Sequence, residues 1–194
     1  WYAYTQSRKY TGCSSTVENL LTARNDPREP IYNFDRFGKN IVANPGDDAM
    51  TMQTEVVNWP AYLENGAAPL HVLSLSELYF VMAEAQARLG QNAQTAFEAG
   101  VKASIKDFYA AGGSVIEANV TDAQIATYVA SLSTRYTANP LNEILVQKYI
   151  AQTRDEQLET YNDMRRCRYI DGSYPVAMTN PNNLAGSANR WPLC

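Results

Sequence analysis

The sequence predicts an all-α fold in which helical hairpins follow a long loop-rich N-terminal section. Three observations lead to this prediction. From residue 74 onward, apolar residues recur at spacings of three and four, as on one face of a helix. Helix-capping patterns precede several of these periodic segments. Prolines and glycines interrupt residues 1–73 and leave no sustained period there.

The N-terminal section, residues 1–73, begins with an aromatic and polar stretch over residues 1–15, which predicts an extended loop or a short strand. Val17, Leu20 and Leu21 lie at helical spacing, so we expect a short helix over residues 16–21. Pro27 and Pro30 disfavour helix directly after it. Residues 31–73 are therefore predicted to be mostly loop.

The first long helix begins after Ser74. Ser74 and Glu77 match a capping box, in which each side chain accepts a hydrogen bond from a backbone N–H of the first turn. Gly90 is expected to end the helix in the left-handed conformation. The apolar residues predicted to face inward are Leu78, Val81, Met82, Ala85 and Leu89.

A second helix is predicted over residues 93–109, ended by Gly112 and Gly113. Its inward stripe comprises Phe97, Val101, Ile105 and Phe108. Beside this stripe, Ala96, Gly100 and Ala103 form a ridge of small residues that would allow a neighbouring helix to approach closely.

Three more helices follow. Thr121 and Gln124 match a capping box for the third, which is predicted to bury Ile125, Tyr128 and Leu132. Asn139 caps the fourth, and Pro140 stands at its first position, where a missing N–H costs nothing. The fourth is predicted to bury Leu141, Ile144, Leu145 and Tyr149. After a break over residues 153–155, a fifth helix over residues 156–168 is predicted to bury Leu158, Tyr161 and Met164.

Composition limits the possible functions. The 194 residues suffice for one domain with its own core. A net charge of −4 and the lack of a basic stripe disfavour nucleic-acid binding. The three cysteines have no zinc-ligand spacing, and the single histidine, His71, leaves little scope for metal or histidine-base chemistry. No metal site and no cofactor are predicted.

The first two long helices together span about the length of a tetratricopeptide unit, which has a period of roughly 34 residues. Leu89-Gly90, followed by Ala96 and Ala103, agrees loosely with the small-residue spacing of that motif. No second copy is evident, so we expect degenerate tetratricopeptide-like hairpins rather than a regular array.

Four separated blocks of sequence resemble motifs of one known family. They are Asn25-Asp26-Pro27-Arg28, a helix in which Glu77 precedes Ala83-Glu84-Ala85, the block Gln147-Lys148-Tyr149, and Tyr161 before Arg165-Arg166. In this order they resemble the SusD/RagB family, the nutrient-binding outer-membrane lipoproteins of Bacteroidetes. Tyr161 stands where that family more usually has Trp.

The resemblance implies the C-terminal part of a longer SusD-like chain, forming one domain over residues 1–194. This domain would be loop-rich over 1–73, helical over 74–169 and coil over 170–194. It also implies surface binding of glycans or other nutrients without catalysis, and delivery to a SusC-like TonB-dependent transporter. The localisation implied is the cell surface, with a lipid anchor on an N-terminal segment outside this sequence.

Candidate ligand-binding residues are aromatic side chains on irregular backbone, because flat aromatic faces suit the C–H faces of sugars. The candidates are Trp59, Tyr62 and Trp191, with Trp1, Tyr2 and Tyr4 behind them. The motif residues are interpreted as structural, and Glu84 is expected to pair with Arg165 or Arg166. This structural set comprises Asp26, Arg28, Glu84, Gln147, Lys148, Arg165 and Arg166.

Two other functions remain open. A tetratricopeptide-type scaffold would bind a partner protein and no small ligand. A helical glycoside hydrolase fragment would need paired carboxylates, for which Glu77 and Glu84 lie seven residues apart on one helix. The simpler interpretation is that Glu77 caps the helix and that Glu84 pairs with an arginine.

Overall fold

The computed structural model of this chain describes residues 13–44 and 60–177. Within these ranges the chain is mainly helical, as predicted. The elements are β1 (Cys13–Ser14), α1 (Ser15–Thr22), α2 (Glu29–Asn33), β2 (Val42–Ala43), α3 (Ala61–Glu64), α4 (Leu75–Arg88), α5 (Gln94–Gly112), α6 (Asp122–Ser131), α7 (Ser133–Ala138), α8 (Pro140–Gln152) and α9 (Gln157–Ile170).

The start of the described chain contains the short strand and short helix that the sequence predicts. β1 pairs in parallel with β2, so that Cys13 lies opposite Val42. The Ser14 side chain then caps α1 by accepting a hydrogen bond from the Thr16 N–H. Cys13 and Cys167 are buried free thiols, while Cys194 lies outside the described residues.

Two short helices, α2 and α3, occupy a region predicted to be loop, and that prediction is wrong at both places. Pro30 is tolerated because it falls in the first turn of α2, where the backbone N–H needs no helical partner. Such short helices depend on tertiary packing rather than on sequence periodicity. Ile31 of α2 and Tyr62 of α3 are both buried in the core, which provides that packing.

Both ends of α4 are formed by the residues expected. Ser74 caps the helix by accepting a hydrogen bond from the Glu77 N–H at 3.0 Å. The other half of the predicted capping box is wrong, because the Ser74 N–H donates at 2.7 Å to the Glu156 carboxylate and not to Glu77. Gly90 adopts a φ of +70° and lets the Gln91 N–H reach the Gln86 carbonyl, which closes the C-terminal turn.

The buried face of α4 is the opposite of the one predicted. Phe80 and Ala83 are buried, together with Ser76, Glu77 and Glu84. The predicted inward stripe is exposed: Leu78 45%, Val81 46%, Met82 44% and Leu89 72%. Ala85 is exposed as well. α4 has apolar residues on two faces. The buried face is the one that carries Glu77 and Glu84, whose carboxylates bind partners on α8 and α9.

α5 packs closely against α4 through its small residues, as predicted. A Cβ added to Gly100 would lie 2.9 Å from the Phe80 ring, so only glycine allows this approach. At the other end, a Cβ on Gly112 would lie 2.7 Å from Ile31 of α2. The predicted inward stripe of α5 is buried along its whole length: Phe97, Val101, Ile105 and Phe108.

The last helices follow the predicted caps. Thr121 and Gln124 form a complete capping box on α6, and Asn139 caps α8 with Pro140 in the first turn. α7 was not predicted. Further along, α9 buries Met164, but the prediction for Leu158 is wrong, since it is 70% exposed. The remaining predicted inward residues are buried (Ile125, Tyr128, Leu132, Ile144 and Leu145) or partly buried (Leu141, Tyr149 and Tyr161).

α9 runs alongside α4 in the same direction. The Ser74 N–H contacts Glu156 at their N-terminal ends, Glu84 contacts Arg166 further along, and Arg88 contacts Asp171 at the C-terminal ends. α8 lies antiparallel to both. Its C-terminal Gln152 contacts Glu77 near the start of α4 and Thr160 near the start of α9. Lys148, one turn earlier on α8, pairs with Asp163 further along α9. This group of helices is the framework on which the groove described below is formed.

Candidate functional site

The aromatic residues proposed for ligand binding lie mostly outside the described residues, namely Trp59, Trp191, Trp1, Tyr2 and Tyr4. Tyr62 is described and is 6% exposed. It lies on α3, not on irregular backbone as predicted. Its ring stacks on Tyr32 with centroids 5.6 Å apart and an interplanar angle of 6°. This burial in the core gives no support to a ligand-binding role for Tyr62.

Three of the predicted structural residues meet in a buried polar cluster centred on Arg28. Arg28 Nε and Nη2 donate to the two carboxylate oxygens of Asp26 at 2.9 and 2.6 Å. Nη2 also donates to Gln147 Oε1 at 2.6 Å, and Nη1 donates to Ser104 Oγ at 2.8 Å. The cluster therefore joins the turn after α1 to α5 and α8.

The charge of Arg28 is retained in spite of complete burial. Burial alone would lower the pKa of the guanidinium, but the Asp26 carboxylate raises that pKa above its ordinary value overall. The Tyr128 hydroxyl donates a further hydrogen bond to Asp26. This cluster is closed to solvent, so we interpret it as structural.

A second cluster pairs Glu84 of α4 with Arg166 of α9, one of the two partners predicted. Arg166 donates to both Glu84 oxygens at 2.5 and 2.8 Å, and Arg88 donates to Glu84 at 2.7 Å. Burial opposes the charge, but the bonds from Arg166 and Arg88 hold the pKa of Glu84 below its ordinary value. Asp163 completes the cluster by accepting from Arg166 at 2.8 Å and pairing with Lys148 at 2.6 Å.

Glu77 does not approach Glu84 but joins Glu156 in a buried carboxyl pair at the start of α4. Burial, and then the hydrogen bond and negative charge of Glu156, raise the pKa of Glu77 to about 7. Gln152 donates to Glu77 at 3.4 Å, and the Ser74 hydroxyl donates to Glu156 at 2.9 Å. The two carboxyls contact each other directly, so no sugar ring fits between them as glycoside hydrolysis requires.

The opposite end of α9 presents an open groove of about 550 Å³. It is lined by Arg165, Arg168, Tyr169, Gly172 and Tyr174. Tyr169 is 91% exposed, so its ring is available as a platform. Gly172 has a φ of +72° and forms a turn after α9. Because of this turn, the Tyr174 ring packs against Arg168, whose guanidinium carbon lies 5.8 Å from the ring centroid. Exposed aromatic faces beside guanidinium donors can bind a sugar by stacking and hydrogen bonding.

A smaller cavity of about 120 Å³ lies on the other side of the turn after α9. Its polar lining residues are Asn139 and Asn142 at the start of α8, with Asp171 and Ser173 from the turn. Amides, a hydroxyl and a carboxylate thus surround a space much smaller than the groove.

The family model for SusD-like proteins, described as starch-binding associating with outer membrane, matches residues 1–185. The chain belongs to the SusD-like family. No curated protein matches it. Among solved structures it is similar to a SusD/RagB family protein from Bacteroides thetaiotaomicron, with 29% identity and a TM-score of 0.73. The match covers 93% of this chain and 43% of that chain, so this chain spans less than half of that protein's length.

Membership of the SusD-like family confirms the resemblance seen in the four sequence blocks and accounts for the helical fold. Residues of these blocks form the Arg28 cluster and the Glu84 cluster, which hold the helices in register. Among the described residues, no helix is long and apolar enough to cross a bilayer. In the same ranges, no group of three or more histidine, cysteine and acidic side chains is placed to hold a metal ion.

The groove of this SusD-like chain is not predicted from the sequence. Arg165 is predicted there only as a possible partner of Glu84, and Arg168 and Tyr169 have no predicted role. An available signal was the run Arg165-Arg166-Cys167-Arg168-Tyr169, in which three cations and an aromatic occupy five helical positions. These positions cannot all face the core, so some of the cations must face solvent.

Proposed function

We propose that this SusD-like chain binds glycans or related nutrients at the outer membrane and passes them to a TonB-dependent transporter without cleaving them. The observation that carries the proposal is the match of residues 1–185 to a family described as starch-binding. The groove beside α9 supplies a described surface with the right chemistry, an exposed aromatic platform beside hydrogen-bond donors.

The buried clusters support a binding role in a different way. They fix α4, α8 and α9 relative to one another through buried and partly buried ion pairs. A rigid scaffold that presents its ligand-binding residues at helix ends and turns is typical of binding proteins. The paired carboxyls Glu77 and Glu156 belong to this scaffold and do not line the groove.

The experiment is a calorimetric titration of the purified chain with oligosaccharides of defined length, followed by chromatography of the recovered sugars. We expect saturable binding of at least one glycan class and recovery of every oligosaccharide at its original length. Shortened products would contradict the absence of catalysis, and a complete lack of binding across the panel would contradict the glycan role.

A second candidate, a protein-interaction scaffold, is favoured by one observation. The outer face of α4 exposes Leu75, Leu78 and Met82 in sequence spacings of three and four, the pattern of a helix surface that packs on another element. A glycan panel without any signal, together with binding of the purified transporter barrel that is lost in Leu78→Glu, would favour this candidate over the first.

A further inference from the structure

We propose that the groove at the end of α9 is selective for anionic sugars, with Arg165 and Arg168 binding the carboxylate or sulfate and Tyr169 stacking on the ring. This inference rests on the proposed function and names the substrate class of the same site.

The cations next to the groove are already paired with carboxylates. Arg166 binds Glu84 and Asp163, Arg88 binds Glu84 and Asp171, and Lys148 binds Asp163. Each of these side chains already has a carboxylate partner that offsets its positive charge. An anionic ligand would therefore gain less from them than from a cation without such a partner.

Arg165 and Arg168 differ from these cations. In the described part of the chain, neither guanidinium has a carboxylate partner. Arg165 lies over the ring of Tyr161, 5.5 Å from its centroid. Arg168 lies over Tyr174 and donates to the Gly172 carbonyl oxygen. Stacking on an aromatic face fixes a guanidinium in orientation while leaving in-plane N–H donors for a ligand.

The charge of the groove differs in sign from that of the whole chain. The chain as a whole carries a net charge of −4, so two neighbouring guanidiniums without carboxylates are not a consequence of a basic composition. Two planar donor groups three residues apart on one helix lie on the same side of it. Guanidinium groups match the geometry of carboxylate and other oxyanions with paired hydrogen bonds.

The shape of the groove places aromatic rings beside the two guanidiniums. Tyr169 follows Arg168 directly and leaves 91% of its surface exposed, and Tyr174 lies on the other side of Arg168. A ring bound against Tyr169 would place a substituent within reach of the guanidiniums that line the same groove. The volume of about 550 Å³ lies within the usual range for ligand sites, roughly 300–1,000 Å³.

The test compares three oligosaccharides of equal length, one neutral, one built of uronic acids and one sulfated, by calorimetric titration. We expect the wild-type chain to bind at least one anionic oligosaccharide about ten times more tightly than the neutral one. Raising the salt concentration to 0.5 M should reduce this preference, because exposed charge pairs are screened.

Two variants and a control locate the effect. Arg165→Gln should weaken anionic binding roughly tenfold and leave neutral binding unchanged. Tyr169→Ala should weaken every glycan that the groove binds. Lys106→Gln removes one positive charge from the exposed surface of α5, where Lys106 pairs with Asp122, and should change none of the affinities.

The outcomes separate this inference from the proposed function. Equal affinity for all three oligosaccharides, or anionic binding unaffected by Arg165→Gln, would overturn the inference and leave glycan binding intact. Binding of the neutral oligosaccharide alone would also overturn the inference and leave glycan binding intact. Failure to bind any of the three, with a correctly folded chain, would overturn both.

Discussion

Glu84 on α4 and Arg166 on α9 form a bidentate ion pair, in which both carboxylate oxygens accept hydrogen bonds from the guanidinium, at 2.5 and 2.8 Å. The two residues are 82 positions apart in sequence, and the Ser74–Glu156 contact has the same separation. Equal separations along two helices require that the helices run parallel and in register. The pair thus determines how the last helix, and the groove it carries, lies on the framework.

Replacing Arg166 by leucine should therefore lower the free energy of unfolding by about 1–3 kcal/mol, because Glu84 keeps Arg88 but loses its partner on α9. Urea denaturation followed by circular dichroism measures the change. The neighbouring Arg165→Gln is a matched control and should stay within about 0.5 kcal/mol, since its side chain is exposed. Equal effects of both substitutions would show that the pair does not hold α9.

Replacing Asp26 by alanine should be more costly, at about 3–5 kcal/mol, because it leaves the fully buried Arg28 guanidinium without its carboxylate. Thermal and urea unfolding measure this loss. Asp122→Asn is the control: Asp122 is exposed and pairs with Lys106 at the surface, so the stability should stay unchanged within the error of the measurement. A small effect of Asp26→Ala would contradict the structural interpretation of the cluster.

The orientation of α4 leads to a third prediction. Phe80→Ala should destabilise the chain by about 3–5 kcal/mol, since the ring is buried against α5. Leu78→Ala, two residues away on the exposed face, should cost less than about 1 kcal/mol. The reverse order in denaturant unfolding would mean that the face first predicted from the sequence is the buried one after all.

The Glu77–Glu156 pair predicts a pH dependence. The pKa of Glu77 is raised in the folded chain to about 7, so the folded state holds a proton that the unfolded state releases near pH 4.5. The stabilising contribution is complete below pH 4.5 and is lost as the pH rises through about 7. Lys148 nearby opposes the shift without reversing it.

The measurement for this pair is unfolding of the wild type and Glu77→Gln between pH 4 and pH 8.5. Glutamine mimics the protonated carboxyl, so the free energy of unfolding of the variant relative to wild type should rise by on the order of 2 kcal/mol between pH 4 and pH 8.5. This is less than the full pKa shift implies, because solvent screens part of the interaction. Subtracting the two curves removes the contributions of all groups that the two chains share. A difference that stays constant with pH would contradict the shared proton.

Much of the helical framework is predictable because its signals are local. Ser74, Thr121 and Asn139 cap α4, α6 and α8 as their side chains indicate, and Gly90 ends α4. Each of these depends on atoms within a few residues of the cap. A pairing of Glu84 with Arg165 or Arg166 was also predicted, because a buried carboxylate needs a cation, and the structure places Arg166 there.

Other features depend on distant residues and were mispredicted for that reason. α4 has apolar residues on two faces, and the partners of the buried face, among them Gly100, Gln152 and Arg166, lie far along the chain. α3 is short and held by packing, so its Tyr62 resembled a loop aromatic in sequence. The groove exists because the turn at Gly172 brings Tyr174 back to Arg168.

Hydrogen–deuterium exchange with and without a saturating glycan shows whether this SusD-like framework binds sugar at the end of α9. We expect added protection to be concentrated over residues 165–174, with α1 and α6 unchanged. Protection confined to other described segments, or absent altogether at a concentration that saturates the calorimetric signal, would contradict it.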